Sequence, residues 1–185
     1  MREDTTIKKI LIIVDMQKDF TNGVLGNAEC EAAVQKIANI VNQESYDFIC
    51  LTRDTHYDNY LETQEGKKLP VAHCIKDTDG WQIREEIMNA VSQKYRDSEY
   101  KIVDKESFGS LSLGQFLKQK YQSEELEIHF AGVCTGICVI SNVLIAKAAL
   151  PEAKVCVIED ACACVTPESH KTAIEAMKTC QVDII

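Results

Sequence analysis

The sequence predicts an α/β protein: a three-layer α/β/α domain, Rossmann-like, with an about six-stranded, mostly parallel sheet carrying helices on both faces. Three observations predict it. Short apolar runs alternate with segments of helical periodicity along the whole chain. The first of those runs is near-continuously β-branched, as in strands covered on both sides. The intervening helices are also long enough for right-handed crossovers between parallel strands.

Ile7 to Val14 reads as the first strand and stops abruptly at the polar segment Asp15, Met16, Gln17, Lys18, Asp19. After the turn residues Thr21 to Asn27, the segment Ala28 to Asn42 sets Val34, Ile37, Ala38 and Val41 on one helical face. Phe48 to Leu51 is the second strand, and Thr52, Arg53, Asp54, Thr55 and His56 follow it at once. Tyr57 to Asp79 shows no convincing periodicity, and loops of that length tend to be functional or disordered. The spacing then predicts a helix over Trp81 to Val91, with Asp79 as its N-cap. Lys101 to Val103 is a brief third strand ahead of Asp104 and Lys105, followed by a short helix from Leu113 to Lys120. Ile128 to Phe130 is the fourth strand; the chain turns at Gly132 and is helical from Gly136 to Leu150. Ala153 to Ile158 is the fifth strand, Thr166 and Pro167 open a helix that runs through Lys178, and Val182 to Ile185 is a last, short strand.

With no Pro, Gly or Ser-rich linker, the 185 residues are expected to form one domain, 1–185. A net charge of −9, from 20 basic and 29 acidic residues, argues against a nucleic-acid or anionic-membrane partner and favours small molecules. The N-terminal apolar run is too short to span a bilayer and carries no small-residue cleavage site, so a cytoplasmic protein is expected. Nine cysteines, an odd number with several inside apolar runs, do not read as a disulfide framework.

In an open parallel sheet, ligands bind beyond the carboxyl ends of the strands. Asp15, Asp54, His56, Lys105 and Cys138 all fall just after predicted strands. Singly, each reads as something ordinary: a loop charge, a turn residue or, for Cys138, a small buried side chain. Jointly they can converge on one edge. A thiol becomes a good nucleophile when a base takes its proton and a cation stabilises the thiolate. Asp15 is the candidate base, Lys105 the cation and Cys138 the nucleophile, set in a first helical turn where free N–H groups and the dipole favour a thiolate. A tight turn from Gly132 to Cys138 would aim the backbone N–H groups of Cys134 and Cys138 at one spot as an oxyanion hole. These roles imply acyl transfer to Cys138 and hydrolysis of the thioester.

The segments IIVDMQKDF, LTRDTH, His73-Cys74, KESF at Lys105 and above all GVCTGICV resemble the isochorismatase-like cysteine hydrolases, most closely their nicotinamidase branch. The resemblance covers nearly the whole chain in the same order. It implies an Asp15, Lys105, Cys138 triad and a cis peptide between Val133 and Cys134. It also implies a divalent metal on Asp54, His56 and His73, zinc first with iron or manganese as alternatives, and Phe20 flanking the substrate ring. Glu65, or failing that Glu62, is a candidate further ligand; by residue type alone the Asp, His, His set suits zinc but is incomplete. A small amide substrate, a role in NAD salvage and a homo-oligomer are implied as well.

Thr55, Tyr57 and Tyr60 stand where the family usually has a Trp and a second His, and Leu69 where a Trp often precedes the Pro and His. The expected activity is hydrolysis of nicotinamide to nicotinate and ammonia. Another small amide is the alternative. An isochorismatase-type vinyl-ether hydrolase does not need Cys138, and a non-catalytic binding protein does not need the triad. Cys74, Cys162 and Cys164 lack paired CxxC spacing and read as packed or partly exposed thiols. His129 reads as a satisfied core histidine and His170 as a helix-surface residue.

Overall fold

The computed structural model describes residues 7–185. Lys8–Val14 forms strand β1, buried from Ile10 onward. Its alternate residues enter two different cores: Ile10, Ile12 and Val14 face one, Leu11 and Ile13 the other. That division is what a two-residue repeat produces when helices cover both faces of a sheet. Along the chain follow the single-turn helix α1 (Lys18–Thr21), α2 (Ala28–Gln43), β2 (Phe48–Asp54), α3 (Gln64–Lys68), α4 (Glu85–Lys94), β3 (Tyr100–Lys105), α5 (Leu111–Tyr121), β4 (Leu126–Val133), α6 (Ile140–Ala149), β5 (Lys154–Ala163), α7 (Pro167–Thr179) and β6 (Asp183–Ile184).

The six strands are all parallel, in the order β3-β2-β1-β4-β5-β6. Helices α2 and α4 bring Ala33, Ile37, Ile87 and Val91 to one face. Helices α5, α6 and α7 bring Leu113, Val143 and Met177 to the other, which gives the expected three layers. The chain winds outward in opposite directions from the neighbours β1 and β4. Their carboxyl ends therefore flank the topological switch point, where such sheets bind ligands.

The strands run further toward this edge than the apolar runs indicate. Asp54 and Lys105 are not loop residues after their strands but the last residues of β2 and β3, paired with each other in register. Gln17 holds that end: its Oε1 accepts from Asp54 N at 2.7 Å and its Nε2 donates to Asp54 O at 2.8 Å. Likewise β5 reaches Ala163, beyond the expected Ile158. Gly132 lies inside β4 rather than at a turn, opposite Val14, with φ of +128°. A Cβ there would sit 2.1 Å from Val14 O. Gly132→Ala is therefore expected to destabilise the chain by more than the about 1–3 kcal/mol of a strained backbone alone, read as a lower midpoint of chemical denaturation.

The helix expected over Trp81 to Val91 begins only at Glu85, with Arg84 in the cap position. Trp81 is diverted: its ring packs under the Arg53 guanidinium at 3.6 Å and its Nε1 donates to Thr55 Oγ1 at 2.9 Å. Asp79 caps nothing and pairs with Lys18 at 2.6 Å. Within the long loop, Tyr60–Glu62 makes a 3₁₀ turn ahead of α3. The α7 reading holds, with Thr166 as N-cap accepting from Ser169 N and Pro167 in the first turn.

Candidate active site

Three of the expected residues meet in the crevice. Asp15 leaves β1 with a left-handed φ of 51°, and its carboxylate is fixed by Thr52, whose Oγ1 donates to Oδ1 at 2.6 Å. Lys105 Nζ lies 2.6 Å from Asp15 Oδ2, 3.1 Å from Asp54 Oδ1 and 3.6 Å from Cys138 Sγ. It also donates to Ser107 O at 3.1 Å. The Asp15 contact is an ion pair without hydrogen-bond alignment, and Oδ2 has no hydrogen-bond partner of its own. All three side chains are buried.

Cys138 sits in a π-helical turn, Thr135–Val139, rather than in the first turn of a regular α-helix, and α6 continues from it. The Val133–Cys134 peptide is cis, as expected. Cys134 O accepts from both Ile137 N and Val139 N, which folds the segment tightly around the thiol. Asn142, fully buried one turn on, donates to Cys138 O at 2.8 Å and to Phe108 O at 3.0 Å, and accepts from Ser110 N at 2.9 Å. One amide thus ties the nucleophile's turn to the loop after β3.

Charge balance here differs from the expectation of a ready thiolate. Burial pushes the Cys138 thiol well up, the Asp15 carboxylate adds to the rise and Lys105 opposes it. A dry site overrides the helix-terminus effect. Burial also raises Asp15, against the pull of Lys105. Burial alone would lower the Lys105 ammonium, but the Asp15 and Asp54 carboxylates beside it outweigh that and hold it protonated. The site is thus a neutral thiol beside a carboxylate more basic than usual and a permanent cation.

Beside this cluster lie Asp54, His56, Glu65 and His73, whose donor atoms are all within 4.8 Å of one another. His56 Nε2 is 3.0 Å from Asp54 Oδ2 and 3.6 Å from Glu65 Oε1. It is nevertheless buried without a hydrogen-bond partner. His73 Nδ1 lies 2.7 Å from Val71 O. It donates there, so Nε2 turns a lone pair inward. Burial would raise Asp54, but His56, His73 and Lys105 outweigh it and hold its carboxyl below the ordinary range. Backbone bonds from His56 N to Cys74 O and from Lys76 N to His56 O lock the two histidine segments together. An inward lone pair, an orphaned imidazole nitrogen and two carboxylates are a donor set that fits a divalent cation. Glu65 joins the expected three residues; Glu62 is not in the cluster.

Both groups open on one cavity of about 600 Å³, lined by Phe20, Asp54, Glu65, His73, Cys134 and Cys138 among others. Phe20 packs against His73 with ring centroids 5.3 Å apart. Leu69 and Phe108 complete an apolar wall. Tyr57 is exposed and its hydroxyl donates to Glu106, whereas Tyr60 is buried against both imidazoles, 4.6 and 4.9 Å between centroids.

Gln17, Thr52 and Asn142 are positioning residues that sequence reasoning passed over; each carries only a polar identity, with no pattern to mark it as buried. His129 is a satisfied core residue, between Tyr46 and Glu127. His170 is not a free surface residue: it is half-buried, its Nδ1 2.8 Å from Thr135 Oγ1. Cys74, Cys162 and Cys164 are buried. Among the described residues, no helix is long and apolar enough to cross a membrane.

Comparison with known proteins gives the family and the fold. A family model described as the isochorismatase domain matches residues 9–185. The nicotinamidase of Saccharomyces cerevisiae is 28% identical over 175 residues, covering 71% of this chain and 77% of that protein. The pyrazinamidase of Pyrococcus horikoshii, solved in complex with zinc, superposes with a TM-score of 0.77 at 23% identity over 96% of this chain and 98% of that one. The pyrazinamidase/nicotinamidase from Streptococcus mutans superposes with a TM-score of 0.81 at 24% identity, over 96% and 100%. At such identities the structural likeness speaks for the fold.

Proposed function

The chain belongs to the isochorismatase family of hydrolases, and from that premise we propose that it is a nicotinamidase-type amidase with Asp15, Lys105 and Cys138 as its catalytic triad. The observation that carries this reading is the buried cluster itself: a thiol within 3.6 Å of an ammonium that is 2.6 Å from a carboxylate oxygen with no other partner. That oxygen, paired with the Lys105 ammonium, is the acceptor a thiol proton requires.

In the proposed cycle Asp15 takes the Cys138 proton as sulfur attacks the amide carbon, and Lys105 compensates the negative charge of the pair. The backbone N–H groups of Cys134 and Cys138 receive the oxyanion, a role in which one donor is typically worth about 3 kcal/mol. Asp15 returns its proton to the leaving ammonia, then deprotonates the water that cleaves the Cys138 thioester. Phe20 packs against the ring. Asp54, His56, His73 and Glu65 would hold a divalent metal, zinc by their chemistry, which when bound supplies a contact for the pyridine nitrogen.

Ammonia release from nicotinamide by the purified chain tests the proposal. No release from nicotinamide or any other small amide would sink it. Verified metal removal is expected to raise KM for nicotinamide steeply while leaving the acylation of bound substrate possible; unchanged KM would remove the metal from substrate binding. Since burial raises Asp15, its loss by protonation should begin at a higher pH than for a free carboxylate. The acid limb of kcat/KM is therefore expected above about 4, the ordinary carboxylate value. A limb at or below that value would argue against Asp15 as the base. A second reading, an amidase for a different small amide, is favoured by Leu69, which lines the cavity where relatives often carry a larger aromatic residue. A substrate panel separates the two.

A further inference from the structure

Three thiols outside the proposed chemistry meet beside the turn that carries Cys138. In the register of β4 on β5, Gly132 lies opposite Cys162 and Val133 opposite Ala163, so Cys134 and Cys164 leave the sheet side by side. Neighbouring strands run about 4.8 Å apart, within the roughly 4.4–6.8 Å between Cα atoms that a disulfide spans. Cys134 and Cys164 are thus the next residues of two paired strands, neighbours where both chains leave the sheet. Cys30, in the first turn of α2, packs on the same segment, its Sγ 4.0 Å from Cys164 O. Asn27 Nδ2 donates to the same carbonyl at 3.1 Å, which anchors α2 to this segment.

Cys134 stands in the cavity wall, as does Val165, the neighbour of Cys164. The Cys164 sulfur is buried just behind them, outside the lining of the cavity itself. The Cys134 S–H lowers the Cys164 thiol most; burial opposes it, and Ser169 with the backbone N–H groups of Gly136 and Val165 brings it down to about 5. Thiolate character of that kind marks an oxidisable cysteine.

We propose that Cys134 and Cys164 are a modification site, forming a reversible disulfide with each other when the chain is exposed to hydrogen peroxide. The Cys164 thiolate attacks one peroxide oxygen; the O–O bond breaks, and hydroxide leaves and is protonated to water. Cys164 is then a sulfenic acid. The Cys134 thiol attacks its sulfur, the S–S bond forms, the S–O bond breaks, and the hydroxyl departs with the thiol proton as a second water. Two thiols give up two electrons and one peroxide takes them. Because Cys134 also supplies a proposed oxyanion donor, turnover falls while the link persists. That consequence rests on the functional reading above; the link does not.

The test is peptide mapping of the full chain after one equivalent of hydrogen peroxide, with free thiols alkylated and no reductant. The expected result is a Cys134–Cys164 linked peptide pair that dithiothreitol releases and that Cys164→Ser lacks. Recovery of Cys134 as the alkylated thiol, or linked only to Cys30 or Cys138, overturns the proposal. Amide turnover is read in parallel. A link formed in a chain without amidase activity leaves this site standing and removes the functional reading. An active chain with no link does the reverse.

Discussion

Cys138→Ala is expected to lower amide turnover by on the order of 10⁴–10⁶-fold, the range seen when a covalent nucleophile is deleted from an otherwise intact site. The fold should survive the change. Cys138 is small and packed at the edge of a core that includes Val139 and Val143, and deleting one sulfur costs about 1 kcal/mol, the size of an average point substitution. A lost rate in a folded chain can then be assigned to chemistry. A rapid-quench experiment with excess substrate adds a direct readout: the unaltered chain should carry an acyl adduct on the Cys138 peptide, and the alanine variant none. Residual turnover near that of the unaltered chain would mean that water attacks the amide without sulfur, and the covalent mechanism would have to go.

Why so much of this was legible, and some was not, follows from what a sequence encodes. The buried runs at Ile10 to Val14 and Phe48 to Leu51 announce strands because an unbroken apolar stretch this short, in a chain that alternates strand and helix, fits a strand covered on both faces. The ends of the same strands are hidden. Thr52, Asp54 and Lys105 are polar because they face the site, yet they are paired in the sheet, so composition reports a loop where the backbone is still extended. Local rules fail most where function is concentrated. Trp81 misled for a related reason: an apolar ring at helical spacing was spent on Arg53 instead of on the core. Gln17 and Asn142 each satisfy several backbone groups of the site. Nothing in an amide's identity says that it is fully buried, and only the three-dimensional count of unpaired N–H and C=O groups accounts for them.

The substitution with the widest reach is Lys105→Met. Lys105 is the cation between two buried carboxylates, Asp15 and Asp54, so its removal leaves them facing each other in a dry pocket. Breaking a buried pair from one side costs about 3–5 kcal/mol, because the stranded charge is neither solvated nor neutralised. The variant should therefore unfold at distinctly lower denaturant and lose turnover as well. One substitution cannot say whether the rate fell because the cation helps catalysis or because the site collapsed. Adding Asp15→Asn separates the two, since the double variant removes one stranded charge while keeping the shape of the side chain. It should regain much of the stability and none of the activity, as neither base nor cation is restored. If the double variant regained turnover along with stability, Asp15 and Lys105 would be a structural pair only. If Lys105→Met cost no stability, the two carboxylates would have to share a proton in the folded chain, and the ammonium would lose its role as their counter-charge.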